Sequence, residues 1–194
     1  MYSLKPCVEE LERFYNFLNE KFGLNLTSDV VITIQTRGRK NAKAWFCAGV
    51  WKNHQEPSVN EINICAESLT DDAYESLAHE MAHFCELKSR GKLSKNNYHS
   101  KTFKEQAEKL LLKVSQMGNY GFAKTERTDE FNKMLFEFKP KKEVFDLLRR
   151  GLPNKEKQPT KMKKWTCGCV IVRCAVELNA TCENCKKKFE KVGE

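Results

Sequence analysis

The sequence predicts an α+β fold with a small cysteine-rich module behind it, and three observations predict this. An amphipathic helical stretch is followed by three short β-rich runs and then by a second long helical stretch. Of nine cysteines, Cys167, Cys169, Cys174, Cys182 and Cys185 crowd into one segment, whereas Cys7, Cys47, Cys65 and Cys85 are scattered singly. The 194 residues, 40% of them hydrophobic, suffice for one compact domain plus an appended module.

Val8, Leu11, Tyr15, Leu18 and Phe22 share one face of a helix over 8–22, and Gly23 ends it. Val30 to Thr36 is a β-branched run that predicts a strand, and Arg37-Gly38-Arg39-Lys40-Asn41 turns the chain. Ala44 to Trp51 and Glu61 to Ala66 predict two further strands, separated by a polar loop containing Pro57. Together the three read as an antiparallel sheet. Thr70 reads as the N-cap of a helix reaching about Ser89, with Asp71 and Asp72 suiting the positive end of its dipole and Gly91 as its stop. A helix over Thr102–Val114 carries the stripe Phe103, Ala107, Leu110, Leu111 and Val114. Gly118 to Gly121 is a loop, and Glu126–Phe138 and Lys142–Leu148 read as helices. The expected organisation is a domain over 1–148, a basic linker over 149–164 containing Gly151, Pro153 and Pro159, and a cysteine module over 165–194.

Composition narrows the classes of function. No run approaches the roughly 20 apolar residues of a membrane span, the longest being Trp45 to Trp51. Glu9, Glu10 and Glu12 stand where a signal peptide would be apolar, so a cytoplasmic protein with no membrane partner is expected. In that setting nine cysteines argue for metal ligation or burial rather than disulfides. The net charge of +8 is uneven: residues 1–140 hold 20 Lys and Arg against 19 Asp and Glu, and residues 141–194 hold 14 against 7. A basic tail favours a polyanionic partner, nucleic acid first.

His79-Glu80-Met81-Ala82-His83 is an H-E-x-x-H sequence inside a predicted helix. Residues four apart share a helix face, so both imidazoles can reach one metal. Glu80 stands beside that metal without being forced onto it, where a general base must be to deprotonate an activated water. The opposite face, Leu77, Met81, Phe84 and Leu87, is apolar and gives the helix a side to bury. A catalytic zinc needs a third protein ligand and one open position. His99 is a candidate, with Glu86, Glu105 and Glu108 as competitors; Glu86 lies far along the axis, and Glu105 is the serious rival. The metzincin pattern is absent.

With His99-Ser100-Lys101-Thr102-Phe103 added to the H-E-x-x-H run, the sequence resembles the SprT-like metallopeptidases over about 11–125 and in the cysteine module. That resemblance implies a small zincin-like peptidase fold, His99 as the third zinc ligand and a C-terminal zinc ribbon. Many members carry Gly where this chain has Ser100. The family includes Spartan-type enzymes that degrade proteins crosslinked to DNA, and the resemblance implies that activity class.

Cys167-Gly168-Cys169 and Cys182-Glu183-Asn184-Cys185 are two short-spaced pairs around a predicted hairpin. Four thiolates from two turns close a tetrahedron around a structural zinc, with Cys174 as a spare that can replace Cys169. Lys161, Lys163, Lys164 and Trp165 combine charge with an aromatic ring, a pairing suited to phosphate contact and base stacking on single-stranded or junction DNA, provided that the tryptophan is exposed. Glu61 to Ala66, as the strand nearest the motif helix, is expected to accept substrate backbone as an added strand. Tyr98, Tyr120, His54 and Arg90 are candidate oxyanion stabilisers.

The reading is therefore a zinc endopeptidase with one catalytic and one structural zinc, acting on DNA-bound or DNA-crosslinked proteins. A regulatory peptidase that cleaves one repressor or inhibitor, and a non-catalytic DNA-binding zinc protein, are the alternatives. An intact Glu80 argues against the last, because a structural site has no use for that carboxylate.

Overall fold

The computed structural model describes residues 1–27, 29–36, 42–52, 58–147, 149 and 162–192, with only the backbone of Asn97. The chain falls into two compact units, Met1–Gly151 and Leu152–Glu194. The predicted turn over 37–41, the Pro57 loop, His54, Leu148, Lys161 and most of the predicted linker lie outside the described residues. Among the described residues no helix is long and apolar enough to cross a membrane.

The first unit is α+β. Helix α1 (Lys5–Lys21) buries Leu11, Phe14, Tyr15 and Leu18 against α2 (Asp72–Arg90). Strands β1 (Val30–Gln35), β2 (Ala44–Trp51) and β3 (Val59–Cys65) form a sheet of order β1-β3-β2. This sheet is mixed, not antiparallel throughout: β3 runs parallel to β1 and antiparallel to β2. Strand β3 is central, so the expectation that it accepts an added strand is corrected; the sheet edge toward the motif helix is β2. Its polar residues disguised this in the sequence. Glu61 and Asn63 are buried because they are paired: Glu61 accepts from Trp51 Nε1 (2.7 Å) and Gln35 Nε2 (3.3 Å), and Asn63 Nδ2 donates to Thr33 Oγ1 (2.8 Å).

Helix α2 begins one residue later than expected. Asp71 is its N-cap, while the Thr70 hydroxyl accepts from Asp72 N at 3.3 Å. Gly91 ends it in the left-handed region, at φ 67°, as a helix C-terminus favours. Helix α3 (Lys101–Lys109) is shorter than the sequence predicts. Leu111 adopts φ 63°, and the chain then enters β4 (Leu112–Ser115), which pairs antiparallel with β5 (Lys124–Arg127). Glu126 and Arg127 therefore belong to a strand, and α4 (Asp129–Phe138) starts at the Thr128 cap, whose hydroxyl accepts from Phe131 N at 3.1 Å. Lys142–Phe145 is a 3-10 turn rather than an α-helix.

The core gathers Phe14, Tyr74, Phe131 and Phe138 in edge-on and tilted ring contacts 4.9–6.4 Å apart between centroids. At its rim Glu10, 3% exposed, accepts from Arg13, from Tyr74 Oη (2.9 Å) and from Lys141 N (2.9 Å). Burial alone would raise that carboxyl, but these donors hold it below its ordinary value.

The second unit is a three-stranded sheet, β6 (Lys163–Thr166), β7 (Ile171–Cys174) and β8 (Glu190–Lys191), in the order β7-β6-β8. Both ends of the predicted linker are corrected. Arg149 belongs to the first unit, where its N–H donates to Ala66 O and its guanidinium pairs with Glu67; Lys163 and Lys164 are part of β6.

Candidate metal centre

His79 and His83 share one face of α2, and the N-terminus of that helix is anchored from two directions. Arg127 Nη1 on β5 donates to Asp71 Oδ2 at 2.6 Å, and Lys142 Nζ lies 2.9 Å from Asp71 Oδ1. Beyond Gly91 the chain folds back and brings His99 to the start of α3. The backbone of His99 is clamped: its N–H donates to Tyr120 O (2.9 Å), and its carbonyl accepts from Phe122 N (3.0 Å). Gly121 makes the clamp possible, because at φ 69° a Cβ would stand 2.3 Å from His99 O and 2.9 Å from the Tyr98 ring.

The three Nε2 atoms converge. His99 Nε2 lies 3.2 Å from His79 Nε2 and 3.1 Å from His83 Nε2, and the three ligand atoms lie within 4.8 Å of one another. An ion bonded at about 2.05 Å to three corners of a tetrahedron sets its ligand nitrogens about 3.3 Å apart, so the spacing fits a small dication. Each Nδ1 faces a polar atom: His79 meets Thr125 Oγ1 (3.1 Å), His99 meets Tyr120 O (3.3 Å), and His83 lies 3.8 Å from Glu86 Oε2. A carbonyl fixes the Nδ1–H tautomer and leaves Nε2 its lone pair. Burial, then the neighbouring His83 and His99, push His79 well below its ordinary pKa, which keeps it neutral.

The Glu80 carboxyl is buried, and burial pushes it up to about 7 against the pull of His83 and a hydrogen bond from the Phe46 backbone. A carboxyl so placed can both take and return a proton near neutral pH. Glu86 is not among the converging atoms. Against the upward pull of burial, His83, Ser100, Arg90 and Ser94 hold its carboxyl down to about 2. Glu105 and Glu108 are exposed on α3 and also stand outside the cluster. Of the oxyanion candidates, Tyr98 and Tyr120 line the cavity beside the histidines, whereas Arg90 is engaged with Glu86.

Two adjoining cavities flank the histidines. One of about 460 Å³ is lined by Trp45, Phe46, His83, Tyr98 and Tyr120; the other, of about 300 Å³, by Lys43, Asp72, Glu75 and Thr125. Both share Ala44, His79, Glu80, Met117 and Ala123, so a continuous groove passes the site. Strand β2 forms one wall. Cys65 N donates to Lys43 O, which makes 43/65 a hydrogen-bonded pair; Ala44 and Phe46, opposite Ile64 and Ile62, therefore turn their N–H and C=O away from β3. Those groups face the groove, as the bond from Phe46 to Glu80 shows.

In the second unit Cys167, Cys169, Cys182 and Cys185 come within 4.8 Å of one another, with Sγ separations of 3.3 Å for Cys167–Cys169 and 3.6 Å for Cys169–Cys182. Thiolates bonded at about 2.3 Å to a tetrahedral ion lie about 3.8 Å apart, so this cluster could also hold one. Cys174 ends β7 outside it. Trp165 is only 6% exposed, which corrects the expectation of a stacking ring: it sits on the central strand β6 opposite Val172 and Lys191. Lys163 pairs with Glu177, whereas Lys164, Arg173, Lys186, Lys187, Lys188 and Lys191 are exposed.

The fold thus brings together the three predicted histidines with Glu80, and four of the five clustered cysteines. Sequence reasoning missed Thr125, the Tyr120 carbonyl and the outward backbone of Ala44 and Phe46. None carries a sequence signal, since each acts through a backbone group or a lone hydroxyl placed by tertiary structure. No family model, curated protein or solved structure matches this chain.

Proposed function

We propose that this chain is a zinc-dependent endopeptidase acting on proteins bound or crosslinked to DNA. One observation carries the reading: three Nε2 atoms, two of their separations 3.1 and 3.2 Å, converge in an open groove beside a buried carboxyl that follows the first histidine. The resemblance of 79–83 and 99–103 to SprT-like metallopeptidases points the same way, and so does the composition of the cysteine cluster.

His79, His83 and His99 would hold the zinc, which supplies a Lewis acid and acidifies water to a pKa of about 7. Glu80 accepts the proton of the attacking water as its oxygen adds to the scissile carbonyl carbon. It then delivers that proton to the amide nitrogen as the C–N bond breaks, so atoms and charge balance. An extended substrate pairs with the outward N–H of Ala44 and the outward C=O groups of Ala44 and Phe46, the Phe46 N–H being held by Glu80, which gives register without demanding a particular side chain. Cys167, Cys169, Cys182 and Cys185 would hold a structural zinc. The DNA part of the reading rests on the basic tail and its exposed lysines, through phosphate contact rather than stacking.

The test is proteolysis of several unrelated DNA-binding proteins, with and without DNA, by zinc-loaded protein and by Glu80→Gln. DNA-stimulated cleavage of several substrates by the wild type alone is expected. Cleavage indifferent to DNA removes the DNA part of the reading, and no cleavage at all removes the peptidase.

A further inference from the structure

Glu86 lies on α2 three residues past His83 and is 0% exposed. Its two oxygens differ sharply. Oε1 accepts from Ser100 Oγ (2.7 Å), Ser94 Oγ (3.1 Å) and the Arg90 guanidinium. Oε2 is equally buried but has no hydrogen-bond partner, and it stands 3.8 Å from His83 Nδ1. A buried carboxylate oxygen left without a donor is costly, so its position calls for a donor at that spot. The other two histidines already have a neutral oxygen at Nδ1, Thr125 Oγ1 for His79 and Tyr120 O for His99.

We propose that Glu86 is the positioning residue of the histidine site: Oε2 accepts Nδ1–H of His83 when Nε2 takes a metal, while Oε1 ties that ligand to the segment carrying His99. A carboxylate acceptor fixes the tautomer, orients the ring and raises the basicity of the coordinating nitrogen. Ser100 supplies the second half of the link. Its hydroxyl donates to Glu86 and accepts from Phe103 N at 3.1 Å, so the group that caps α3 also grips the carboxylate. His83 on α2 and His99, one residue before that cap, are thereby held as one unit. The closure needed is about 0.6 Å, from 3.8 Å to the long end of an ordinary hydrogen bond.

This inference rests on the proposed reading that the three histidines hold zinc, and the experiment separates the two. Zinc is titrated against a competing chelator in full-length wild type, Glu86→Gln and Ser100→Ala, with His83→Ala identifying the histidine-site event and the cysteine-site event as internal control. Absence of a histidine-site event in the wild type sinks the metal reading itself. If that event is present, Glu86→Gln should weaken it about 10–100-fold and leave the cysteine event unchanged. Ser100→Ala should weaken it less, and the cobalt-substituted site should show an altered visible spectrum in both variants. Histidine-site affinity and spectrum unchanged in folded Glu86→Gln overturn the proposal. Should that variant not fold, the zinc-loaded wild-type crystal structure decides: Nδ1–Oε2 at or below about 3.2 Å supports it, and any longer separation overturns it.

Discussion

Glu80 and Glu86 are both buried acids on α2, yet their surroundings drive them in opposite directions, up to about 7 and down to about 2. Burial raises both, and the difference is what opposes it: Glu86 is held by His83, an arginine and two serines, whereas Glu80 has only the pull of His83 and one backbone N–H. In the proposed reaction, that contrast favours Glu80 as the proton-transfer group. Glu80→Gln keeps the shape but cannot accept a proton, so peptidase activity should fall about 10²–10⁴-fold with histidine-site zinc retained, as elemental analysis would show. His99→Ala should instead strip that zinc, whereas exposed Glu105→Ala should leave it in place; the reverse pattern would mean the third ligand is wrongly assigned. At this scale the sequence was most legible where helix geometry alone fixes the outcome, because His79 and His83 four residues apart must share a face. His99 needed the resemblance as well. The Tyr120 carbonyl was illegible, because every residue carries one.

Elements explain where reading by period fails. Leu110 to Val114 satisfies a helical stripe, yet Leu111 turns left-handed without a glycine to announce it, and Leu112 starts a strand. Strand β3 reads as the edge that accepts substrate, whereas it is central, and its polar Glu61 and Asn63 are buried and paired. The long helices and β2 were legible because their apolar spacing and glycine stops are local. Strand β2 then makes a prediction of its own. Ala44 N–H faces the groove and not β3, so Ala44→Pro deletes a substrate contact while sparing the ladder. Its KM for extended peptides should rise with the melting temperature nearly unchanged; an unchanged KM would remove β2 as the docking edge. Helix α1 makes another. Glu10 joins α1 to Tyr74 on α2 and to Lys141, and losing a hydrogen bond to a buried charged group of this kind costs about 1.5–3 kcal/mol. Its folded pKa lies below the unfolded one, so its stabilisation is complete above about 4.3 and fades as pH falls further. Urea unfolding of wild type and Glu10→Gln should therefore differ most above pH 5 and converge in acid.

For the whole molecule the question is what a second unit adds to a groove that lies within the first. With the proposed zinc bound, the cysteine cluster would supply folding energy, about 10 kcal/mol or more, to a sheet with strands too short to hold a core alone. Buried Trp165 is part of that fold, so Trp165→Ala should loosen the unit and its metal rather than lower single-strand affinity selectively. What remains for a partner is charge: Lys164, Arg173, Lys186, Lys187, Lys188 and Lys191 are exposed, while the first 140 residues are nearly neutral. Each phosphate contact releases counterions and contributes about −0.9 to the slope of log affinity against log salt on duplex DNA, and about −0.7 on single strands. Replacing Lys186, Lys187 and Lys188 by glutamine should thus weaken binding to both forms of DNA and flatten the slope by up to about 2.7 units on duplex. Fluorescence anisotropy over a salt series, on the full chain, the triple variant and residues 1–151, measures this directly. The short chain should bind weakly with a shallow slope. If it binds as tightly as the full chain, the basic surface is solubilising only, DNA no longer localises the peptidase, and cleavage of one specific protein partner becomes the better account of the groove.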